Sequence, residues 1–515
     1  MNGAQAMLRT LVDTGVDVCF ANPGTSEMHF VAALDDVPEM RAVLGLFEGV
    51  VTGAADGYAR MSGKPAVTLL HLGPGLGNGL ANLHNARRAR VPMVNVVGDH
   101  ALGHKSLDAP LESDIDAVAH TVSGWVRRTT SVDSIVDDTL DAVAAGLATR
   151  SVSTLILPAD IAWTEGVQSA VREVAASAPE VDEAAVDAVA ELLRTSGSTT
   201  AILVGADVLN QRGSSALAGL QQATGARVLH ETFPRRMTRG AGRFEPDRLQ
   251  YFGEMAMEQM RGAEHLILVG ATEPVAFFAY PDKPGRLVPD DCAVHTLAAP
   301  GGGGLGAIEA LAERLARDVE VVPSAVTSLE RPTGGLDIVT AAAAVAATLP
   351  AHAIVSDESA TSGVFMQRAT LGAAEHDWLA LTGGAIGQGM PAATGAAVAC
   401  PDRPVLNLQA DGSAMYTIQS LWTQAREQLD VTTLIFNNGA YAILSMELDR
   451  VGASANGAAA RSMLDLGRPD LDFCQLAEGQ GVPAVRVDTA DDLVTELERA
   501  YREPGPHLID ALLPR

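Results

Sequence analysis

Asp411 and Asn438 are the two residues whose types and spacing first suggest chemistry. Each follows an apolar run: Val405 to Leu408 leads into Ala410-Asp411-Gly412-Ser413, and Val431 to Phe436 leads into Asn437-Asn438-Gly439. Between the runs lies a helical pattern from about Tyr416 to Gln428. A strand, helix, strand unit crosses over right-handed, so its two strands run parallel and their carboxyl ends share one rim of a sheet. Open α/β sheets bind ligands at that rim. A carboxylate and an amide oxygen are hard donors suited to Mg2+ or Ca2+, and Mg2+ commonly holds a diphosphate with few protein ligands. Asp-Gly and Asn-Gly are also ordinary turn formers, so each residue taken singly keeps a purely structural reading.

The elements that must position such groups can be read in order. In the first third, Val16 to Phe20 ends in Asn22-Pro23-Gly24-Thr25-Ser26-Glu27, Val43 to Phe47 ends at Glu48, and Ala66 to Leu70 ends in His71-Leu72-Gly73-Pro74-Gly75. Helices from Gly49 to Met61 and from about Gly77 to Arg90 alternate with these strands, and strands Val91 to Val97 and Thr154 to Leu157 follow. Thr25, Glu48 and His71 then line one rim. Glu48 equally suits a solvated helix start, where the dipole favours an acid, and a histidine at a strand end is often a satisfied structural group.

The middle third holds strands at Thr200 to Val204, Arg227 to His230, His265 to Val269 and Ala293 to Leu297. Its run Gly301 to Gly306 matches GxGxxG, but a dinucleotide fingerprint needs an acid about 20 positions on, at the end of the next strand. Here a strand from Val319 to Val322 enters Pro323 and a Ser/Thr-rich linker instead. The last third has strands at Ala353 to Val355 and Trp378 to Leu381, a glycine-rich loop from Thr382 to Gly389, the Asp411 unit, and a closing strand His507 to Leu512. The expected fold class is α/β, with three doubly wound parallel-sheet domains at residues 1–165, 185–325 and 336–515. An acidic, alanine-rich linker, Val167 to Asp187, separates the first two.

Composition narrows the partners. The chain has 515 residues, 47% of them hydrophobic, and a formal net charge of -27 from 63 acidic and 36 basic residues. Such a surface repels a nucleic-acid backbone or an anionic membrane, so neither is expected as a partner. Four scattered cysteines without CxxC spacing, and an opening without a basic-plus-apolar signal segment, point to a reduced, cytoplasmic protein.

Glu48, the Gly383 to Gly389 loop, Asp411-Gly412-Ser413 and Asn437-Asn438 together resemble the thiamine diphosphate (ThDP) enzymes of the 2-oxoacid decarboxylase and acetolactate synthase superfamily. The wording of Asn22-Pro23-Gly24, Glu48 with Ala55-Asp56-Gly57-Tyr58-Ala59, His71, and Leu421-Trp422-Thr423 looks closest to acetolactate synthase large subunits and benzoylformate decarboxylase. The resemblance implies pyrimidine-binding, central and diphosphate-binding domains in that order, ThDP and Mg2+ as cofactors, and decarboxylation of a small 2-oxoacid with carboligation. A simple benzoylformate-type decarboxylase, a catalytically idle ThDP-fold regulator and a Rossmann oxidoreductase using the Gly301 loop are the alternatives.

By the same resemblance, Glu48 is the acid on the pyrimidine ring, and Thr25 and His71 face the substrate. Asp411, Asn438 and the Ala440 carbonyl hold the metal. Ser359, Gly384, Gly412, Ser413, Asn438, Ala440 and Tyr441 meet the cofactor, and Ile386 is the apolar wedge beneath it, although an apolar residue there also suits a core. Two subunits sharing each active site imply a homodimer or homotetramer. Ala410 replaces the family's usual glycine. Phe277-Phe278-Ala279-Tyr280 stands where benzoylformate decarboxylase brings a second histidine, and Thr272-Glu273-Pro274-Val275-Ala276 does not reproduce the flavin stretch of acetolactate synthases, which counts against FAD. His100, His104 and Lys105 either face the substrate or form a solvated loop.

Overall fold

Short runs of valine, leucine and isoleucine that can be covered on both faces favour parallel strands, and the first third builds six of them. They are β1 (Val18–Asn22), β2 (Arg41–Leu44), β3 (Ala66–Leu70), β4 (Met93–Asp99), β5 (Trp125–Arg128) and β6 (Val152–Pro158), in the spatial order β2-β1-β3-β4-β6-β5. The protein is described by a computed structural model covering all residues except 168–173, 175–179, 321–328, 454–456 and 515.

A second parallel sheet has the order β10-β8-β7-β11-β12, from β7 (Thr200–Val204), β8 (Arg227–His230), β10 (Asp247–Arg248), β11 (His265–Val269) and β12 (Ala293–Ala298). The intervening β9 (Met237–Arg239) leaves that sheet and pairs antiparallel with β14 (His376–Ala380) in the third. The third sheet also contains β13 (Ile354–Glu358), β15 (Val405–Ala410), β16 (Val431–Asn437), β17 (Ala484–Val487) and β18 (His507–Leu512), in the order β17-β18-β16-β15-β13-β14-β9. The α/β class with three sheets is as expected, but the third sheet is mostly rather than wholly parallel. Sequence periodicity could not show this, because a three-residue edge strand is too short to carry a pattern.

Two helical expectations are corrected. The single helix at 416–428 is two helices, Asp411–Thr417 and Ser420–Glu427. The break falls where Thr417 turns its hydroxyl to the carbonyl of Gly387, 3.0 Å away. The helix expected from Gly77 begins at Leu72 instead. Leu72 is fully buried yet has φ +47°, a left-handed backbone that a bulky residue adopts only under strain. Of the expected strand at Val319 to Val322, Val319 and Glu320 are not in a strand and the other two residues lie outside the described residues, as does part of the linker Val167 to Asp187.

The first and third sheets are locked together by the helices Glu48–Ser62 and Gly389–Ala399. A Cβ on Gly395 would stand 1.8 Å from the carbonyl oxygen of Ala54, so the two backbones touch where they cross. Asp56 and Arg60, both buried and paired at 2.7 Å, extend this junction to the carbonyl of Ala380 at 2.8 Å and the hydroxyl of Thr382 at 2.9 Å. Among the described residues no helix is long and apolar enough to cross a membrane.

Candidate active site

At the carboxyl rim of the first sheet, Glu48 opens its helix just after β2, with Gly45, Leu46 and Phe47 between, and is 7% exposed. Its Oε2 accepts from Nδ2 of Asn78 at 3.0 Å. A buried carboxylate at a helix start is favoured by the dipole, and a single amide donor leaves lone pairs free for a ligand.

His71 follows β3 at the same rim. Its Nδ1 lies 2.8 Å from Oε2 of Glu27, whose side chain is fully buried while that of His71 is 21% exposed. Glu27 also accepts from the amide of Gly24 at 2.8 Å. Burial pushes the Glu27 carboxyl above its ordinary range, and the neighbouring His71 opposes that rise. Gly98 leaves the space: a Cβ there would stand 1.7 Å from Oε1 of Glu27. A carboxylate on one imidazole nitrogen fixes the tautomer and leaves Nε2 for chemistry. Thr25 is exposed in the turn just before Glu27. Sequence reasoning missed Glu27 as a partner of His71, because 44 positions separate the two. Asn78 was missed too, lying inside a glycine-rich helix without a motif of its own.

At the rim of the third sheet, Asp411 is 3% exposed and its carboxylate gathers backbone amides, from Gly412 at 2.7 Å, Asn438 at 3.1 Å and Gly439 at 2.8 Å. Burial holds its pKa above the ordinary aspartate value despite these bonds. Oδ1 of Asn438 accepts from the amide of Ala440 at 3.0 Å. Asp411 and Asn438 are therefore brought together across two strand ends, with the backbone of Ala440 beside them. Asn437, by contrast, donates Nδ2 to Asp510 at 3.0 Å and serves the sheet. The donor set fits Mg2+: one buried carboxylate without a cationic partner among its neighbours, an amide oxygen and a nearby main chain, all hard oxygens. Among the described residues no group of three His, Cys, Asp or Glu side chains forms a denser cluster.

Around this cradle, the Tyr441 ring covers Gly412, with Cε1 2.3 Å from where a Cβ would be. The Ser413 hydroxyl donates to the carbonyl of Ala410 at 3.0 Å. Ser359 departs from expectation, since both its hydroxyl and its amide donate to Asp357, so its donors face inward rather than toward a diphosphate. Ile386 is half-buried and belongs to no hydrophobic core cluster among the described residues, which favours the wedge over the core reading. Its loop is held by Asn82, His84 and Asn85 through the carbonyls of Gly387 at 3.0 Å, Gly383 at 3.1 Å and Ala385 at 2.7 Å. Gly384, exposed with φ +75°, lies under Phe277, whose Cζ is 2.6 Å from a Cβ built there.

Two loops are decided by ion pairing. Lys105 is held by Asp99 at 3.0 Å and by Glu112, so its charge is spent inside the chain rather than on a substrate. His100 and His104 pack against each other with tilted rings, centroids 5.3 Å apart. In the Gly301 loop, the amide of Gly301 donates to Asp207 Oδ2 at 3.1 Å, and Asp207 is clamped by Arg150 and Arg235. An internal carboxylate thus takes the amide that a nucleotide phosphate would need.

The thiamine pyrophosphate enzyme N-terminal TPP binding domain matches residues 1–120, and the C-terminal TPP binding domain matches residues 361–511. A Mycobacterium tuberculosis protein provisionally named acetolactate synthase large subunit is 59% identical over 517 residues, covering 100% of this chain and 99% of its own. The benzoylformate decarboxylase of Pseudomonas aeruginosa is 30% identical, covering 96% of each chain. The solved Rhodococcus jostii thiamine diphosphate-dependent 4-hydroxybenzoylformate decarboxylase superposes with a TM-score of 0.86 at 25% identity, covering 100% of this chain and 99% of the other. The chain belongs to the thiamine-diphosphate-dependent enzymes, in the group that includes acetolactate synthases and benzoylformate decarboxylases.

Proposed function

We propose that the protein decarboxylates a small 2-oxoacid with ThDP and Mg2+ and passes the acyl carbanion equivalent to a second carbonyl, in the manner of an acetolactate synthase. The observation that carries this reading is Glu48, a buried acid steadied by Asn78 at a ligand-binding rim. An idle scaffold has no need of such a group. When bound, ThDP would supply a nucleophilic carbon and an electron sink for the bonding pair left behind as CO2 departs. Glu48 holds or takes a proton at Oε1 or Oε2. The His71 Nε2, fixed by Glu27 on Nδ1, exchanges a proton with the substrate-side oxygen. Asp411 and Asn438 bind the metal, and the amides near Ser413 receive the diphosphate.

On the family resemblance alone, a second copy completes the active site, as a homodimer or homotetramer.

A simple decarboxylase acting on an aromatic 2-oxoacid is the second reading. It is favoured by the ring cluster at the mouth, where Phe277 packs against Phe233 at 6.0 Å, Tyr251 at 5.3 Å and Phe278 at 5.0 Å. The purified protein, given ThDP and Mg2+, is expected to release CO2 from one of a panel of 2-oxoacids. Formation of an acetohydroxy acid from pyruvate supports the first reading, and an aldehyde as sole product supports the second. Cofactor uptake without turnover of any acid would remove both.

The dyad makes its own prediction. His71→Ala is expected to lower kcat by about 100-fold. Glu27→Gln keeps the shape but loses control of the tautomer, and a loss of about tenfold with an altered pH profile is expected. Steady-state kinetics on the accepted acid check both, and a Glu27→Gln protein with native rates at every pH would refute the pairing.

A further inference from the structure

Strand β13 ends in Glu358, 3% exposed. Its carboxylate accepts from the amides of Gly387 at 2.6 Å and Gly389 at 2.7 Å, and from Nε2 of Gln409 at 3.0 Å. The same Gln409 nitrogen reaches the hydroxyl of Ser413. One acid therefore ties the loop carrying Ile386 to the turn carrying Asp411 and Ser413, the two pieces that this chain contributes to the diphosphate end of the cleft.

The neighbours of Glu358 are uncharged. Gly387, Gln388 and Gly389 face it from the loop, and Gln409 from β15. The nearest titratable groups are engaged elsewhere: Asp357 with Ser359, and Asp56, which Gln388 reaches, with Arg60. Without a cation to oppose it, burial pushes Glu358 up to about 7. Around it, Oε1 of Gln388, Oδ1 of Asn407 and Oε1 of Gln409 are buried acceptors without a donor. A proton taken up by Glu358 finds acceptors there, and the oxygen that carries it accepts one amide fewer.

We propose that Glu358 is a positioning residue for cofactor capture: ionised, it holds the Gly383 to Gly389 loop and Ser413 in one frame, and protonated it lets the loop go. This rests on the reading of that loop as a wall of the cofactor cleft. A charged group usually gives a stronger hydrogen bond than a neutral one, and losing an amide from it leaves a buried donor unpaired. Capture of ThDP then weakens as pH falls from 8 to 6, where Glu358 gains its proton.

The test is the dissociation constant of ThDP at saturating Mg2+, measured by titration calorimetry on the full chain between pH 6 and 8. Glu358→Gln is expected to bind about tenfold more weakly than native protein at pH 8, the equivalent of one charge-assisted hydrogen bond. That gap should close by pH 6, because the native residue is then neutral as well. Any loss due to Asp411 is common to both proteins and cancels in the ratio. Equal affinity at pH 8, or a ratio that stays constant across the range, would overturn the proposal while leaving ThDP binding itself intact. Should Glu358→Gln not fold, Gln409→Leu serves: removing one donor is expected to move the native loss of affinity to higher pH, and an unmoved midpoint counts against the proposal. Native protein that takes up no ThDP at any pH would overturn both this proposal and the cofactor reading beneath it.

Discussion

Glu48→Gln is expected to lower kcat by roughly 100- to 10,000-fold, the range lost when a positioned acid or base is removed, while the fold and cofactor uptake remain. Glutamine fills the same volume and its carbonyl oxygen still accepts from Nδ2 of Asn78, now 3.0 Å from Oε2 of Glu48, so packing at the rim changes little. What disappears is the ability to hold and return a proton at a site where water has been excluded. CO2 release on the preferred 2-oxoacid, set beside ThDP binding to the same preparation, separates the two effects. A variant that binds ThDP and turns over at the native rate would end the assignment of Glu48 as the proton-handling acid.

Asp411→Asn is expected to lower Mg2+-dependent ThDP capture by at least about 100-fold, above the loss usually caused by changing a group that only supports a metal ligand. The amide is neutral, and its NH2 must face one of the backbone amides of Gly412, Asn438 or Gly439 that now donate to the carboxylate. A donor set against a donor leaves one buried amide unpaired, at a cost of about 1–3 kcal/mol. A lower melting temperature should therefore accompany the lost affinity. The native site carries a pH signature as well. Burial holds the Asp411 carboxyl above the ordinary aspartate pKa, so the metal competes with a proton there, and Mg2+ capture weakens as pH falls. Calorimetry with Mg2+ and ThDP at two pH values checks both statements, and unchanged capture by the variant would exclude Asp411 as a ligand.

The parts of this site that could be read from the chain are those whose meaning is local. Strand, turn and helix patterns placed Glu48, His71, Asp411 and Asn438 at strand ends, and the structure has each at a carboxyl rim. Strands β3, β7, β8, β11 and β18 lie where the apolar runs predict them, because hydrophobic runs bounded by polar turns leave few other solutions. β5, in contrast, is absent from the sequence reading, since Trp125–Arg128 has no alternation and four half-buried residues. β9 escaped for a different reason: its role depends on β14, more than a hundred residues on, and on no property of its own three residues.

Side-chain partnerships across long separations were equally silent. Nothing near Glu358 announces that it holds Gly387 and Gly389, and nothing near Gly301 announces that Asp207 covers its amide. The two asparagines of the Asn437-Asn438 pair also read alike, although the side chain of one donates to Asp510 and that of the other accepts from the Ala440 amide.

By itself the sequence determined the fold class and the placing of Glu48, His71, Asp411 and Asn438 at the carboxyl rims of the sheets, because hydrophobic periodicity and turn chemistry act over a few neighbouring residues. Only the tertiary structure decided which acid steadies His71, which carboxylate shapes the glycine loop and which charges are already spent on one another. Those outcomes depend on burial and on hydrogen-bond distances of about 3 Å, and such distances exist only after distant segments have packed.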